Sequence, residues 1–390
     1  MRGRRVAVTG IGVLASCGVG PDSFWDGLLA DAPRGERRIT DFDPSPWFGT
    51  KEARRTDRFA QFAVAAAAMA LDDAGPVDVD PDRRGVVIGS GVGGLETLEK
   101  QIVICHTKGP DRVSPFLVPM MMANAGAASV SMRFGWRGPC ETPVTACAAG
   151  THAIGNAARM VASGLIDAAL TGGSEAALTP AGIAGFTNMT ALSGSGLSRP
   201  YDVDRDGFVI AEGGAVLVIE ALDAARARGA RIYGEILGSA STADAHHITA
   251  PDPDGGGAVR CMELALADAD LAPPAIRHIN GHGTSTPLND AAEAEAIAKV
   301  FGTPGPPVTS TKGVTGHALG AAGALEATAV LLSIDRRLIP PTAGLATLDP
   351  DMTIDVVTGG PRPWEPGPTL SNSFGFGGHN GCLVLAPVDD

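Results

Sequence analysis

The residue in this chain best placed for covalent chemistry is Cys147, in Pro143-Val144-Thr145-Ala146-Cys147-Ala148-Ala149-Gly150-Thr151-His152. An apolar approach ends in a cysteine, then small residues and a helical run. That pattern predicts a sulfur at a strand-to-helix turn, where the helix dipole and free N–H groups favour a thiolate. The small neighbours would let a bulky acyl thioester reach it. Taken alone, the segment fits a buried core thiol as well as a nucleophile.

Three further segments carry groups that could act on that sulfur's substrate. In Asn280-Gly281-His282-Gly283-Thr284-Ser285-Thr286-Pro287 a histidine stands between two glycines after a strand-like run. Its ring would have open space, and the hydroxyls beside it suit a polar substrate. Taken alone, these residues fit a plain loop histidine slightly better. Asp290, Glu293 and Glu295 follow where acids favour a helix's first turn. In TKGVTGHALGAAGALE, Lys312 precedes His317 and a Gly/Ala-rich helix bearing Glu326. A buried lysine and glutamate in such a segment would need one another. In Ser371-Asn372-Ser373-Phe374-Gly375-Phe376-Gly377-Gly378-His379-Asn380, glycines around aromatics predict a mobile loop whose N–H groups can face an oxyanion. No phosphate-cradling motif occurs there. His246-His247 lacks spaced metal partners, and GSGVGG at 89–94 lacks the acidic residue of a dinucleotide site.

Bringing these segments together calls for alternating strands and helices. Apolar runs at 5–13, 85–88, 168–171 and 215–219 read as strands, as do 232–236, 278–280, 307–310 and 382–385. Helical patterns lie at 57–74, 151–163, 257–270 and 290–301. Such alternation argues for α/β layers. The two strand series predict two halves, 1–225 with the cysteine and 226–390 with the two histidines. A charged helical connection near 222–232 joins them. With 390 residues, 44% of them hydrophobic, each half can bury a core. The net charge of −13 speaks against nucleic-acid binding, although a local basic patch can meet an acidic partner. The six cysteines form no C-x-x-C pair, which argues against structural zinc and for reduced thiols. The basic start and VAVTGIGVLAS mimic a short signal, but Gly10 and Gly12 interrupt it and a buried first strand fits better. No run reaches the roughly 20 apolar residues of a membrane span. A cytoplasmic enzyme without membrane or nucleic-acid partners is the expectation.

Together and in this order, TACAAGTH, GHGTSTP, TKGVTGHALGAAGALE and NSFGFGGHN resemble the β-ketoacyl-[acyl-carrier-protein] synthases of the thiolase-like superfamily. The resemblance runs almost end to end. It implies an α/β fold, the thiolase-like five-layer αβαβα sandwich built of two similar halves. It also implies decarboxylative condensation of an acyl chain with malonyl-[acyl-carrier protein]. Cys147 resembles the acyl-carrying nucleophile, and His282 and His317 the pair that acts in decarboxylation. Lys312 resembles the lysine that pairs with Glu326 and orders the His317 region. The N–H groups of Cys147 and Phe376 would form the oxyanion hole, with Phe376 also a gate. Gly375 and Gly377 flank that gate as substrate contacts, and Thr284 and Thr286 match threonines that bond the pantetheine arm. No metal or redox cofactor is implied, because substrates arrive on the phosphopantetheine of acyl carrier protein. The implied partners are that carrier and a second subunit, in a homodimer or a heterodimer with a chain-length-factor-like chain.

Departures from the family pattern refine this. Lys51, Arg54 and Arg55 match a basic carrier-docking patch, yet Thr190 stands where many relatives have a docking arginine. His379 replaces the commoner threonine of the glycine-rich loop. Val92 and Leu117 fall where relatives often have larger acyl-pocket residues, implying room for a long, branched or unsaturated chain. Shortened segments and FDPSPW tilt the reading toward a type II polyketide ketosynthase, with fatty-acid elongation close behind. A chain-length factor lacks the active cysteine, and a thiolase would use a second catalytic cysteine, so both fit less well.

Overall fold

A central strand buried on both faces should read as an unbroken apolar run. Val6–Ala15 does, and every residue of this strand, β1, is buried in the computed structural model, which describes residues 1–389. The other strands of the first half are β2 (Arg84–Gly89), β3 (Cys140–Glu141), β4 (Ala168–Glu175) and β5 (Gly213–Ala221). The second half supplies β6 (Gly234–Ala243), β7 (His278–Asn280), β8 (Val308–Thr309), β9 (Thr369–Gly375) and β10 (His379–Ala386).

These strands form one hydrogen-bonded path, β3-β2-β4-β5-β1-β6-β10-β9-β7-β8. Counted within its own half, each set runs third, second, fourth, fifth, first. The directions repeat as well. β2 is parallel to β3 and β4, and β7 to β8 and β9, while the remaining neighbours are antiparallel. The halves meet where β1 and β6 share only the pairs Ala7–Glu235 and Val8–Gly234.

Four long helices complete the layers: α1 (Arg58–Ala74), α2 (Ala149–Ala162), α3 (Gly256–Asp268) and α4 (Ala322–Arg336). α2 and α4 touch each other and strands of both halves, so they form the central layer. α1 covers the outer face of the first half and α3 that of the second. The result is the thiolase-like αβαβα sandwich. The central core joins Ile154, Ala157 and Val161 of α2 to Val330 and Leu331 of α4. No helix among the described residues is long and apolar enough to cross a membrane.

Local chemistry sets where these helices begin and how closely they lie. Asp57 caps α1 by accepting from the Phe59 N–H at 3.2 Å. The alanine-rich face of α1 lies on Gly10 and Gly12 of β1, where a Cβ at Gly12 would sit 1.9 Å from the Ala66 carbonyl oxygen. The glycines that interrupt a signal-like run are therefore sites of helix–strand contact.

One expectation is corrected. The segment 371–380 reads as a mobile loop, but Ser371, Asn372 and Ser373 are buried in β9 and Asn380 in β10. Only a short turn around Phe376–Gly378 separates the strands. Small polar side chains with internal partners can occupy a buried strand, and composition alone does not distinguish that from a loop.

Replacing Gly12 by alanine forces α1 off β1. We expect a loss of about 1–3 kcal/mol in denaturant unfolding, as for an overpacked core. Gly49→Ala is the control, since nothing lies within 4 Å of its added Cβ.

Candidate active site

The Cys147 segment forms a tight 3-10 turn, Ala146–Ala148, leading directly into α2. Ala146 takes a left-handed φ of 48°, so the surrounding structure must hold this turn in place. The Cys147 side chain is buried. Burial pushes its thiol up to about 12, while Lys312 and the Phe376 N–H pull it down, and Glu175 and Glu326 oppose them. Desolvation thus opposes the thiolate that the helix end favours.

His317 lies at the matching point of the second half, in the turn before α4. Its Nε2 is 2.9 Å from Cys147 Sγ. Its Nδ1 has no partner among the described residues, so both neutral tautomers are open to it. Phe208 meets its ring edge-on at 5.2 Å. Burial, then Lys312, lowers its pKa well below the usual imidazole range.

His282 follows β7. Its ring stands nearly perpendicular to His317, with centroids 5.3 Å apart. Its Nδ1 is 3.2 Å from the Lys312 ammonium, which also donates to the His282 carbonyl oxygen at 2.6 Å. An ammonium has only hydrogens to offer, so Nδ1 accepts and Nε2 must carry the ring proton. His282 is thus fixed as an Nε2–H donor, and burial keeps it neutral, reinforced by Lys312 and His317. Lys312 is itself buried and paired with Glu326. Burial raises the Glu326 carboxyl to about 7 despite that cation. The lysine's direct contact is therefore with His282, not with the His317 ring.

Ligand-capable atoms of Cys147, His282 and His317 lie within 4.8 Å of one another. They open on a cavity of about 370 Å³. Thr284, Thr286, Phe376 and Gly375 also line it, and the two threonine hydroxyls are 2.9 Å apart. The Phe376 N–H points at the Cys147 sulfur. Gly377 faces outward, and its N–H donates to the Ile248 carbonyl at 2.7 Å. Thr190 sits at the cavity mouth. Lys51, Arg54 and Arg55 are exposed and lie apart from this cavity, with the Arg55 guanidinium 4.4 Å over the Phe116 ring.

Val92 and Leu117 do not line this cavity in the single chain. Val92 is 44% exposed, and Leu117 opens the short helix Leu117–Met121. Spacing along the chain cannot say which side of a turn faces the sulfur.

Two buried carboxylates escaped the sequence reading as site residues. Glu293 accepts the N–H groups of His282 and Gly283, each at 2.7 Å, and the Tyr201 hydroxyl at 3.1 Å. The i,i+3 spacing of Asp290 and Glu293, both buried, is the one sign of an inward acidic face. Glu295 points out and pairs with Lys299. Glu175, at the end of β4, accepts from the N–H groups of Gly91 at 2.6 Å and Gly320 at 3.0 Å. It thereby ties the GSGVGG turn to the start of α4, and burial raises its carboxyl to about 7.

Comparison with known proteins agrees with this geometry. Residues 35–225 match the family model described as beta-ketoacyl synthase, N-terminal domain, and residues 233–346 the C-terminal domain. The chain is 45% identical to 3-oxoacyl-[acyl-carrier-protein] synthase 2 of Synechocystis over 98% of both chains. It superposes on the ishigamide ketosynthase/chain length factor with a TM-score of 0.94, at 33% identity, covering 99% of this chain and 100% of that one. A type II polyketide acyl-carrier protein in complex with its ketosynthase bound to the hexaketide gives a TM-score of 0.90, also at 33% identity, covering 99% and 100%.

A buried thiol predicts a distinctive pH profile. The rate of Cys147 alkylation by iodoacetamide should climb about tenfold per pH unit from pH 7 to 10 without a plateau. A plateau near pH 8.5 would mean an unshifted thiol. Lys312→Met, which removes a charge that favours the thiolate, should slow alkylation across that range.

Proposed function

Since the chain belongs to the β-ketoacyl synthase family, and is a condensing acyltransferase, we propose that it elongates fatty acyl chains by decarboxylative condensation with malonyl-[acyl-carrier protein]. The observation that carries the reading is the His317 Nε2 at 2.9 Å from the Cys147 thiol, beside a His282 locked as a donor. The 45% identity to a 3-oxoacyl-[acyl-carrier-protein] synthase 2 favours elongation over the polyketide reading toward which the loop lengths tilt.

In the first half-reaction the Cys147 S–H gives its proton to neutral His317. The thiolate attacks the carrier's acyl thioester. The oxyanion accepts from the N–H groups of Cys147 and Phe376. The C–S bond to pantetheine breaks, and the leaving thiolate takes the proton from His317. In the second, malonyl carrier loses CO₂. The electron pair becomes an enolate whose oxygen accepts from His282 Nε2–H and His317. The enolate carbon attacks the Cys147 thioester, and the expelled Cys147 sulfur is reprotonated from solvent. The product is a β-ketoacyl carrier two carbons longer, formed by two-stage covalent catalysis. This chemistry calls for no metal or redox cofactor beyond the carrier's pantetheine arm. Thr284 and Thr286 are suited to that arm at the cavity wall.

Lys51, Arg54 and Arg55 offer an exposed basic patch to an acidic carrier. Ile102, Val103, Val118, Met122 and Met132 leave an exposed apolar face beside it, suited to a second subunit. A second reading is favoured by the TM-score of 0.94 to a ketosynthase/chain length factor: iterative polyketide extension within a heterodimer.

Purified protein given acyl and malonyl carriers should release β-ketoacyl carrier after one extension, and Cys147→Ala should form no acyl-enzyme. Acyl transfer surviving in Cys147→Ala would overturn the assignment. Light scattering should give about twice the 39.5 kDa chain mass. Activity that appears only with an added chain-length-factor subunit, or products extended several times, would favour polyketide synthesis.

A further inference from the structure

The two N–H donors of the oxyanion hole belong to separate segments. One lies in the Ala146–Ala148 turn and the other in the turn between β9 and β10. Nothing covalent sets their separation. We propose that His152 is the positioning residue that holds these two segments in register, an inference that rests on the condensing role above.

His152 stands on α2, buried beneath both turns. Its Nδ1 is 2.7 Å from the Thr145 hydroxyl, and its Nε2 is 3.1 Å from the Asn380 carbonyl oxygen. A carbonyl can only accept. The proton therefore sits on Nε2, and Nδ1 accepts from Thr145. Burial lowers the ring's pKa, which preserves this neutral tautomer.

Each end of that bridge governs one donor. Thr145 is two residues before Cys147, and its carbonyl accepts the Ala148 N–H at 3.1 Å, closing the nucleophile turn. That turn contains the left-handed Ala146, so it needs external support. Asn380 is the second residue of β10, the strand that leaves the Phe376 turn. Its amide donates to Asp244 at 2.6 Å, and the Asp244 N–H donates back to the Gly378 carbonyl at 2.9 Å. The chain Thr145–His152–Asn380–Asp244 thus runs under both donors. Gly381 makes room for the ring, because a Cβ there would lie 3.0 Å from His152 Nε2. The adjacent Thr151 holds the incoming strand by a 2.7 Å contact with Ser373. α2 therefore grips both stems of the turn. The tip carries Gly377 and Gly378 at φ 81° and 72°, left-handed conformations that glycine takes without strain.

A misplaced oxyanion donor should slow steps that pass through an oxyanion and spare those that do not. Acylation of Cys147 by an acyl carrier forms a tetrahedral oxyanion, whereas alkylation by iodoacetamide does not. In His152→Leu we expect single-turnover acylation to fall about tenfold to a hundredfold. The alkylation rate and the concentration of acyl carrier giving half-maximal acylation should stay within about twofold. His152→Gln keeps an acceptor and a donor and should recover to within about fivefold of the native rate. Thr145→Val, which removes one bond of the bridge, should move in the same direction as His152→Leu. It carries the comparison if that variant does not fold. Acylation and alkylation falling together, glutamine failing to rescue, or acylation unchanged in both His152→Leu and Thr145→Val would each overturn the proposal. A native protein that accepts no acyl group from a carrier would overturn the condensing role itself.

Discussion

The site depends on one buried cation. Lys312 lies almost wholly out of solvent, where an unpaired ammonium would cost several kcal/mol. Three acceptors meet it: the Glu326 carboxylate, the His282 carbonyl oxygen and His282 Nδ1. The pair with Glu326 answers its charge. The two bonds to His282 convert that answer into function, since they decide which ring nitrogen bears hydrogen. A buried ion pair is weak evidence for stability, but this one specifies a tautomer, which an apolar replacement of the same volume could not do.

The doubled topology explains how such a site can be assembled from distant sequence. Each half threads its strands in the same order and sends a helix into the central layer. Cys147 precedes α2 and His317 precedes α4, so pseudo-equivalent turns deliver the thiol and the imidazole to the same point between the sheets. The turns after β2 and β7 converge there too. Each is held by a buried carboxylate that accepts its backbone N–H groups, Glu175 for the first and Glu293 for the second. The small residues at this junction follow from close approach. A Cβ on Gly320 would lie 2.2 Å from the Gly91 nitrogen, and one on Gly150 would lie 2.9 Å from the Ala324 nitrogen.

Much of this was legible from the chain because the reacting groups sit in short, chemically unusual runs. A histidine between glycines, or a lysine amid glycines and alanines, has few bland explanations once four such runs occur in family order. The strand alternation and the two halves were legible for a similar reason: buried strands here are continuous apolar runs. What escaped depends on contacts across long sequence separations. Glu293 looked like a helix-start acid because nothing nearby names the His282 turn as its partner. His152 looked like part of a helix, since Asn380 is 228 residues away. Val92 and Leu117 were placed by position within a family pattern, and neither lines the cavity of the single chain. The strand β9 was hidden because serine and asparagine side chains fill a buried face. The helix end that favours a thiolate is a local feature, whereas the burial that opposes it comes from segments distant in sequence.

That last point bears on how the site avoids competing reactions. Burial disfavours charge on the Cys147 sulfur and on both imidazoles, while Lys312 beside them is paired with Glu326. An exposed thiolate would be open to oxidation and to stray electrophiles. On the proposed mechanism the nucleophile forms as His317, 2.9 Å away, accepts the proton in place. The same neutrality serves the second half-reaction, since a charged imidazolium would attract the malonyl carboxylate and hold it, whereas neutral donors favour the enolate oxygen that appears after CO₂ departs. Low resting charge thus makes the electrostatic stabilisation of this site act mainly on species that exist during reaction.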